Sequence, residues 1–531
     1  MADRDGRAAD KTISSRPSRY RVEEPRAYPK CSPAAGQAPA TPPACTAVLV
    51  VHGMGQQIEF ETLDALENGL RSVDPALSRE AGPPAEKVRF VQLESTPLRR
   101  VEMNLTGAGA KRAGHEVHLY EAYWAPLTEG RVTLRDVIRF LCEATSNAFS
   151  QRKKPFGRWM FDQEIQFRPD RGSAWILALL TTAILFFVWM NTAAAVAVGW
   201  ALWEGPQTDF QLFWDLTWVI QWPVASALLF GLALWLASVL RERNAPDRRL
   251  YVWNFVVYGA LAVALLAVAA AAVLTTVAFL RHRVTGERIF PRVAYARLPF
   301  PLPFLGVVLS WGAFVYGVIE IREILVEYVG DVAAYISPSV LDRFADLRKR
   351  IKETVVTIAR AIYESAAANG RGWQYDRVIL VGHSLGSLIG YDALNQLINE
   401  DALEGDRQRV VSRTSLLLTL GSPLDKTAFL FARQGKKTSE AREALAGSVQ
   451  PMIQSYARRP RRWVNFYSPH DPVSGALDYY DDEKEASARR KWIENRKDSE
   501  ATVPLLSHIQ YWRHPDVLGL LHASLTQEER V

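Results

Sequence analysis

Residues 378–386, with the sequence VILVGHSLG, constrain the fold of this 531-residue chain more than any other segment. The run VILVG at 378–382 is continuously apolar and rich in β-branched residues, which is typical of a strand buried on both faces of a parallel sheet. The helix-like run SLIGYDALNQLI follows directly at 387–398. The sequence therefore predicts an α/β fold with a sharp strand-to-helix turn at residues 382–386.

The turn at residues 382–386 fits the pattern G-x-S-x-G. In this context we expect Ser384 to adopt a strained backbone conformation, because the flanking Gly382 and Gly386 remove side chains that would clash with it. The hydroxyl of Ser384 then stands exposed above the carboxyl edge of the sheet. Strand, turn and helix together predict that Ser384 is a nucleophile, and the alternative is a serine that only caps the following helix.

A serine nucleophile needs a base, and in this architecture an acid and then a histidine follow the nucleophile along the chain. Three of the nine histidines satisfy that order. His508 lies in a loop that enters the helix-like end of the chain, and it is the preferred base. His514, which Pro515 follows, is the next choice. His522 lies within the apolar run VLGLLHASL and is assigned to the core.

The predicted acid is Asp471, in the segment SPHDPV after the strand-like run WVNFY at 463–467. A buried carboxylate there could hold the imidazole in the required tautomer and stabilise its positive charge. Asp425, in GSPLD after the strand-like run SLLLTL at 415–420, is the alternative acid. Asp471 could also be a turn residue before Pro472.

A second buried strand is predicted for the run TAVLVV at 46–51, which ends in the loop HGMG at 52–55. An oxyanion hole needs two backbone amides, and we expect one from Leu385, at a helix N-terminus where amide dipoles favour negative charge. The loop places Met54 as the other donor. No phosphate-loop or dinucleotide fingerprint is present. The residues that support the two turns are His52, Gly53, Gly55, Gly382 and Gly386.

These segments resemble the α/β-hydrolase superfamily, in particular serine esterases and lipases. HGMG is similar to the family's oxyanion loop, GHSLG to its nucleophile elbow, DPV to its acid loop and SHIQYW to its histidine loop. The resemblance covers residues 46–75 and about 340–525. It implies a mostly parallel sheet flanked by helices. It also implies that the chain cleaves an ester through a Ser384–His508–Asp471 triad and an acyl-enzyme, and it implies no metal or organic cofactor.

Between the two flanks the chain has four runs without Asp, Glu, Lys or Arg, of 30, 25, 29 and 22 residues. A helix needs ~20 apolar residues to cross the hydrocarbon core of a bilayer. We therefore expect a transmembrane helical insertion at 171–322, although the fourth run begins with three prolines and its crossing stays open. The runs are 174–203, 216–240, 252–280 and 298–319.

The predicted insertion divides the hydrolase domain into residues 45–170 and 323–531, after a disordered tail at 1–44 with eight basic and five acidic residues. Both parts contribute strands to one sheet, so they must lie on the same side of the membrane. Six Lys and Arg residues at 152–172 precede the first run. The positive-inside rule then places the catalytic domain of this multi-pass protein on the cytoplasmic side. Five Arg residues at 281–297 disagree with that rule.

Charge and cysteine content exclude other classes. A net charge of +6 is modest for this length and does not indicate nucleic acid, and three cysteines match neither a disulfide framework nor a zinc pattern.

The expected partners are a lipid or acyl-ester substrate and the membrane bilayer. An acyltransferase that uses the same serine stays open, and the alternative function is a non-catalytic hydrolase-fold scaffold or sensor. A transporter would need ionisable residues inside the apolar runs, which have none.

Overall fold

The computed structural model describes parts of both flanks of the chain and two short strands between them. The described residues are 21–28, 45–55, 57–79, 87–106, 115–133, 135–142, 156–158, 163–165, 326, 330–336, 341–367, 372–427, 460–471, 473–478, 480, 493–498 and 506–526.

A nine-stranded mixed sheet organises the described residues, in the order β1-β3-β4-β5-β2-β8-β9-β10-β11. The pairs β3–β4 and β4–β5 are antiparallel and the other neighbours are parallel, so the predicted mostly parallel α/β sheet is confirmed. A separate antiparallel pair is formed by β6 and β7. The strands are β1 (Arg21–Tyr28), β2 (Cys45–Val51), β3 (Lys87–Leu93), β4 (Thr96–Leu105), β5 (His115–Ala122), β6 (Phe156–Arg158), β7 (Gln163–Ile165), β8 (Arg377–His383), β9 (Thr414–Leu420), β10 (Trp463–Tyr467) and β11 (Ile493–Lys497).

The two flanks of the chain meet at the centre of the sheet, where β2 pairs in parallel with β8. The register runs from Thr46 opposite Arg377 to Val51 opposite Gly382. Because both strands end at the same edge of the sheet, the loop after β2 and the turn after β8 become neighbours. This pairing brings together two segments that are far apart in sequence.

Helices cover both faces of the sheet. They are α1 (Glu61–Val73), α2 (Gly330–Ile336), α3 (Leu341–Glu364), α4 (Leu385–Leu403), α5 (Val410–Arg413) and α6 (Pro515–Thr526). Ala47, Leu49 and Val51 of β2 belong to the core that contains α3 and α4, whereas Val48 and Val50 belong to the core that contains α1 and α6. This alternation is the two-residue period of a strand. Burial on both faces explains why β2 is a continuous apolar run.

The N-terminal segment contains an edge strand that the sequence analysis missed. Arg21–Tyr28 pairs in parallel with Lys87–Leu93, with an irregular register between Glu23 and Arg26. Pro25 lies in that irregularity, and proline is tolerated at bulges and edge strands because no ladder hydrogen bond depends on its nitrogen. The prediction of a disordered tail is therefore wrong for these residues. The rest of the predicted tail lies outside the described residues.

The structure also corrects the membrane prediction. No helix in the described part of the chain combines the length and the apolar character needed to span a bilayer. The two longest, α3 with 24 residues and α4 with 19, contain charged residue types such as Arg348 and Asp401, which are costly in hydrocarbon. This finding overturns the predicted transmembrane helical insertion and the multi-pass integral membrane localisation that followed from it. The four apolar runs that motivated the prediction lie outside the described residues.

A buried carboxylate joins α1, β4 and α6 at one end of the molecule. Asp74, at the end of α1, accepts hydrogen bonds from the Thr106 hydroxyl and amide and from the Ala76 and Leu77 amides. His522 Nε2, on α6, lies 2.9 Å from the same carboxylate. Burial alone raises the pKa of Asp74, but these hydrogen bonds outweigh it and lower the pKa to about 2.

We predict that Asp74→Ala lowers the free energy of unfolding at pH 7 by about 2–4 kcal/mol, since it removes a buried hub of hydrogen bonds. Urea denaturation measures the change. Asp346→Ala is the control, because Asp346 is 66% exposed and its ion pair with Arg350 lies on the exposed surface of α3. At pH values above the ordinary pKa of a carboxyl group, the wild type should be more stable than Asp74→Asn. The difference in the free energy of unfolding should shrink as the pH falls towards 2. A difference that stays constant down to that pH would contradict this account.

Candidate active site

The turn between β8 and α4 holds Ser384 in an unusual backbone conformation. Its φ and ψ are 53° and −128°, a strained combination for a residue other than glycine. The Ser384 amide donates to the Leu420 carbonyl over 2.8 Å, and its carbonyl accepts from the Ser387 amide over 3.0 Å. These bonds to β9 and to the first turn of α4 hold the conformation in place.

The glycines beside Ser384 are required by close packing. A Cβ on Gly382 would lie 2.4 Å from the Ser387 Cα. A Cβ on Gly386 would lie 2.2 Å from the carbonyl oxygens of both Val51 and His52. The first turn of α4 therefore packs directly on the end of β2, at a distance that leaves no room for a methyl group.

A continuous chain of hydrogen bonds connects Ser384, His508 and Asp471. His508 Nε2 lies 2.7 Å from the Ser384 hydroxyl oxygen, and His508 Nδ1 lies 2.8 Å from Asp471 Oδ2. All three side chains are buried. An ionised Asp471 only accepts hydrogen bonds, so Nδ1 carries the proton and Nε2 is left to accept the Ser384 proton. This is the tautomer that a general base needs.

Asp471 accepts hydrogen bonds from several directions. The Val473 and Ser474 amides donate to Oδ1 over 2.8 and 3.2 Å, and the Tyr511 hydroxyl donates to Oδ2 over 2.9 Å. Together with His508 these donors fix the carboxylate in position. Asp471 therefore has more hydrogen-bond partners than an aspartate that only stabilises a turn.

Electrostatics keep Asp471 ionised. Burial alone raises its pKa, but the charge of His508, the hydrogen bond from His508, the charge of Lys426 and the Val473 amide outweigh burial. The pKa of Asp471 is consequently held well below its usual range. A permanent negative charge beside His508 Nδ1 favours a positively charged imidazole when Nε2 takes up a proton.

Tyr511 is a site residue that the sequence analysis did not identify. Its hydroxyl oxygen accepts from the Ser468 amide over 3.0 Å while its proton goes to Asp471. Burial and the nearby Asp471 carboxylate raise the pKa of Tyr511, so it remains a donor. Its position three residues after His508, within the segment SHIQYW, is the only signal in the sequence.

His383, which precedes Ser384, contacts the backbone carbonyl of His508. His383 Nε2 lies 2.7 Å from the His508 carbonyl oxygen and therefore donates to it. Burial, followed by the charge of His508, lowers the pKa of His383 to about 3, so the ring stays neutral. His383 thus contacts the backbone of His508, whereas Ser384 contacts its ring.

The loop at residues 52–55 passes directly beside Ser384. A Cβ on Gly53 would lie 3.0 Å from the Ser384 Cβ and 3.0 Å from His383 Nδ1. Met54 follows Gly53 in this loop, and Leu385 follows Ser384 at the start of α4. Their predicted role as oxyanion donors stays a prediction, and the close approach of Gly53 to Ser384 is compatible with it.

His52 holds this loop in a defined conformation. The Trp124 amide donates to His52 Nε2 over 3.0 Å, so Nδ1 carries the proton and donates to the Gly53 carbonyl over 2.9 Å. The His52 and Trp124 rings stack with centroids 4.9 Å apart. Burial lowers the pKa of His52 to about 4, which keeps the ring neutral.

The alternative site residues have other partners. His514 pairs with Asp498, and His522 pairs with Asp74. Asp425 Oδ2 accepts from the Asp478 amide over 2.9 Å. The structure thus brings His508 and Asp471, the preferred choices, to Ser384.

One group of described residues has metal-binding side chains. Cys45, Glu116 and His118 have ligand atoms within 4.8 Å of one another. However, His118 Nδ1 lies 2.7 Å from the Tyr375 hydroxyl, and His118 Nε2 lies 2.9 Å from Glu116. Burial and the Glu116 carboxylate raise the pKa of the Cys45 thiol, which disfavours the thiolate that binds metals. His118 thus has hydrogen-bond partners at both ring nitrogens.

Comparison of the chain with protein-family models, with curated proteins and with solved structures gives no match in any of the three.

We predict that Gly386→Ala lowers the free energy of unfolding by about 3 kcal/mol or more, because its Cβ would overlap the carbonyl oxygens of Val51, at the end of β2, and of His52, which follows it. Gly519→Ala is the matched control. Gly519 lies in α6 with no atom within 4 Å of an added Cβ, so alanine should stabilise the chain by about 0.5–1 kcal/mol. Urea denaturation of the two variants tests the contrast, and similar stabilities would refute the close packing of α4 on β2.

Proposed function

We propose that this chain is a serine hydrolase of the α/β-hydrolase superfamily, which cleaves a lipid or other acyl ester through an acyl-enzyme. The observation that carries the proposal is the unbroken hydrogen-bonded chain from Asp471 through His508 to the hydroxyl of Ser384. The strained conformation of Ser384, at the end of a central strand, supports the same conclusion.

In the first half of the reaction, Ser384 Oγ attacks the ester carbonyl carbon while its proton moves to His508 Nε2. The carbonyl oxygen becomes an oxyanion, which accepts hydrogen bonds from the Met54 and Leu385 amides. Asp471 stabilises the imidazolium through Nδ1. The bond between the carbonyl carbon and the alcohol oxygen then breaks, and His508 gives its proton to the departing alcohol.

In the second half, water replaces the alcohol. His508 Nε2 takes a proton from the water molecule while the water oxygen attacks the carbonyl carbon of the acyl-enzyme. The bond to Ser384 Oγ then breaks, His508 returns the proton to the serine, and the carboxylic acid leaves. His508 carries each transferred proton in this cycle, so the proposed sequence balances with the side chains of Ser384, His508 and Asp471 and one water molecule.

Apolar side chains near the site in sequence support an acyl substrate. Ile509, which directly follows His508, is 58% exposed, and Ile58, shortly after the loop at residues 52–55, is 72% exposed. Because each residue lies within a few positions of His508 or of that loop in the chain, we propose them as contacts for the acyl chain of the substrate.

We predict that a fluorescent fluorophosphonate labels the wild type and not Ser384→Ala, because the probe bonds covalently to an activated serine oxygen. Ser412→Ala, which removes an exposed hydroxyl on α5, is the control and should label like the wild type. Gel fluorescence after a timed reaction measures the difference. Equal labelling of Ser384→Ala and the wild type would refute the nucleophile assignment, and a wild type that never labels would favour a non-catalytic scaffold.

Two histidine variants test the base. Each of His508 and His514 is buried and pairs with an aspartate, but only His508 contacts Ser384. We expect His508→Ala to lower kcat on a p-nitrophenyl ester by a factor on the order of 10³ or more. His514→Ala should keep kcat close to that of the wild type under conditions where both variants are folded. The reverse pattern would assign the base to His514.

Tyr511→Phe should move the acid limb of the kcat/KM profile to higher pH, by about half a pH unit or more. The substitution removes a donor to Asp471, so more of the carboxylate's charge is available to stabilise a protonated His508. The profile is measured between pH 5 and 9. Tyr363→Phe, which removes a buried hydroxyl paired with Thr414 at the other end of β9, is the control. A uniform loss of rate with an unmoved acid limb would show that Tyr511 acts only in packing.

A further inference from the structure

We propose that Asp331 is a positioning residue for the oxyanion hole, an inference that rests on the proposed hydrolase function. The Gly55 amide donates to Asp331 Oδ2 over 2.9 Å, between residues 276 positions apart. Asp331 is 5% exposed, so this is a buried bond from an amide to a carboxylate. Such charge-assisted bonds are stronger than bonds between neutral groups.

The bond matters because it completes the restraint of Met54 on both sides. The Gly53 carbonyl and the Met54 amide belong to one planar peptide group, which His52 Nδ1 holds through the Gly53 oxygen. The next peptide group contains the Gly55 amide, which Asp331 holds. Gly55 has a φ of 97°, in the region that glycine enters readily. His52 and Asp331 thus each hold one of the two peptide planes beside Met54.

The helix that carries Asp331 also contacts the helix of the nucleophile. Tyr335, one turn after Asp331 on α2, donates its hydroxyl proton to Asp392 Oδ2 of α4 over 2.7 Å. Both side chains are buried. The second expected oxyanion donor, Leu385, is the first residue of α4. Helix α2 therefore contacts the two elements that would each supply one amide to the oxyanion hole.

The packing of α2 is tight at its first residue. A Cβ on Gly330 would lie 3.2 Å from the Val132 side chain. Asp331, the next residue, is therefore held by the packing of α2 as well as by its bond to Gly55. A carboxylate in a fixed location can orient an amide with little loss of side-chain entropy during the reaction.

The test compares Asp331→Ala with Asp331→Asn on a p-nitrophenyl ester. Asp331→Ala removes the acceptor, and we expect kcat to fall about 10- to 100-fold with KM nearly unchanged, because a misaligned amide weakens binding of the transition state alone. Asp331→Asn keeps an oxygen acceptor and should retain kcat within about 3-fold of the wild type. Asp331→Ser, whose side chain is shorter by one bond, replaces the alanine variant if that one does not fold.

A transition-state analogue separates positioning from general damage. A trifluoromethyl ketone bonds to the Ser384 oxygen, and its carbonyl oxygen becomes an oxyanion. Its Ki should therefore rise in Asp331→Ala by the same factor by which kcat/KM falls. Asp331→Asn should keep both Ki and kcat/KM close to the wild-type values. Unchanged Ki and kcat in Asp331→Ala, or an equal loss in Asp331→Asn, would overturn the role of Asp331 while leaving the hydrolase proposal intact. A wild type that neither labels with fluorophosphonate nor cleaves the ester would instead refute the hydrolase proposal, and this inference with it.

Discussion

The parallel pairing of β2 with β8 is the constraint on which the rest of the structure depends. It fixes Val51 opposite Gly382, and so determines how far the loop after β2 lies from Ser384. Because successive side chains alternate between faces, a slip of one residue would move each β2 side chain to the opposite face of the sheet. It would also displace the loop after β2 by ~3.3 Å. Different side chains would then fill each core, so close packing and the geometry of the site select the same register.

Around this centre, buried polar groups hold the loops because each has a defined partner. His52 fixes the peptide before Met54 and His383 fixes the backbone of His508, although both rings are fully or almost fully buried. Asp471 and Asp331 hold Tyr511 and Gly55 in the same way. A buried polar group without a partner would cost about 1–3 kcal/mol, so these contacts determine which loop conformation is stable.

The parts of the fold that the sequence predicted are those coded by short, local patterns. The apolar runs at 46–51, 415–420 and 463–467 became β2, β9 and β10, because strands buried on both faces need continuous apolar sequence. Edge strand β1 lacks such a run and was missed. Ser384, His508 and Asp471 followed from strand ends and chain order, whereas Asp331 could not be found, since its contact with Gly55 depends on the folded arrangement of distant segments. Hydropathy alone suggested a membrane insertion, which the described helices do not support.

Keeping His52 and His383 neutral has a thermodynamic consequence for the whole chain. In the unfolded state each imidazole would titrate near its ordinary pKa of 6.5, but the pKa of His52 in the fold is about 4 and that of His383 about 3. As the pH falls below 6.5, the unfolded chain therefore binds protons that the folded chain does not, and the equilibrium shifts towards unfolding. The two rings that hold the loops beside Ser384 in neutral solution thus set a lower limit to the pH at which the chain stays folded.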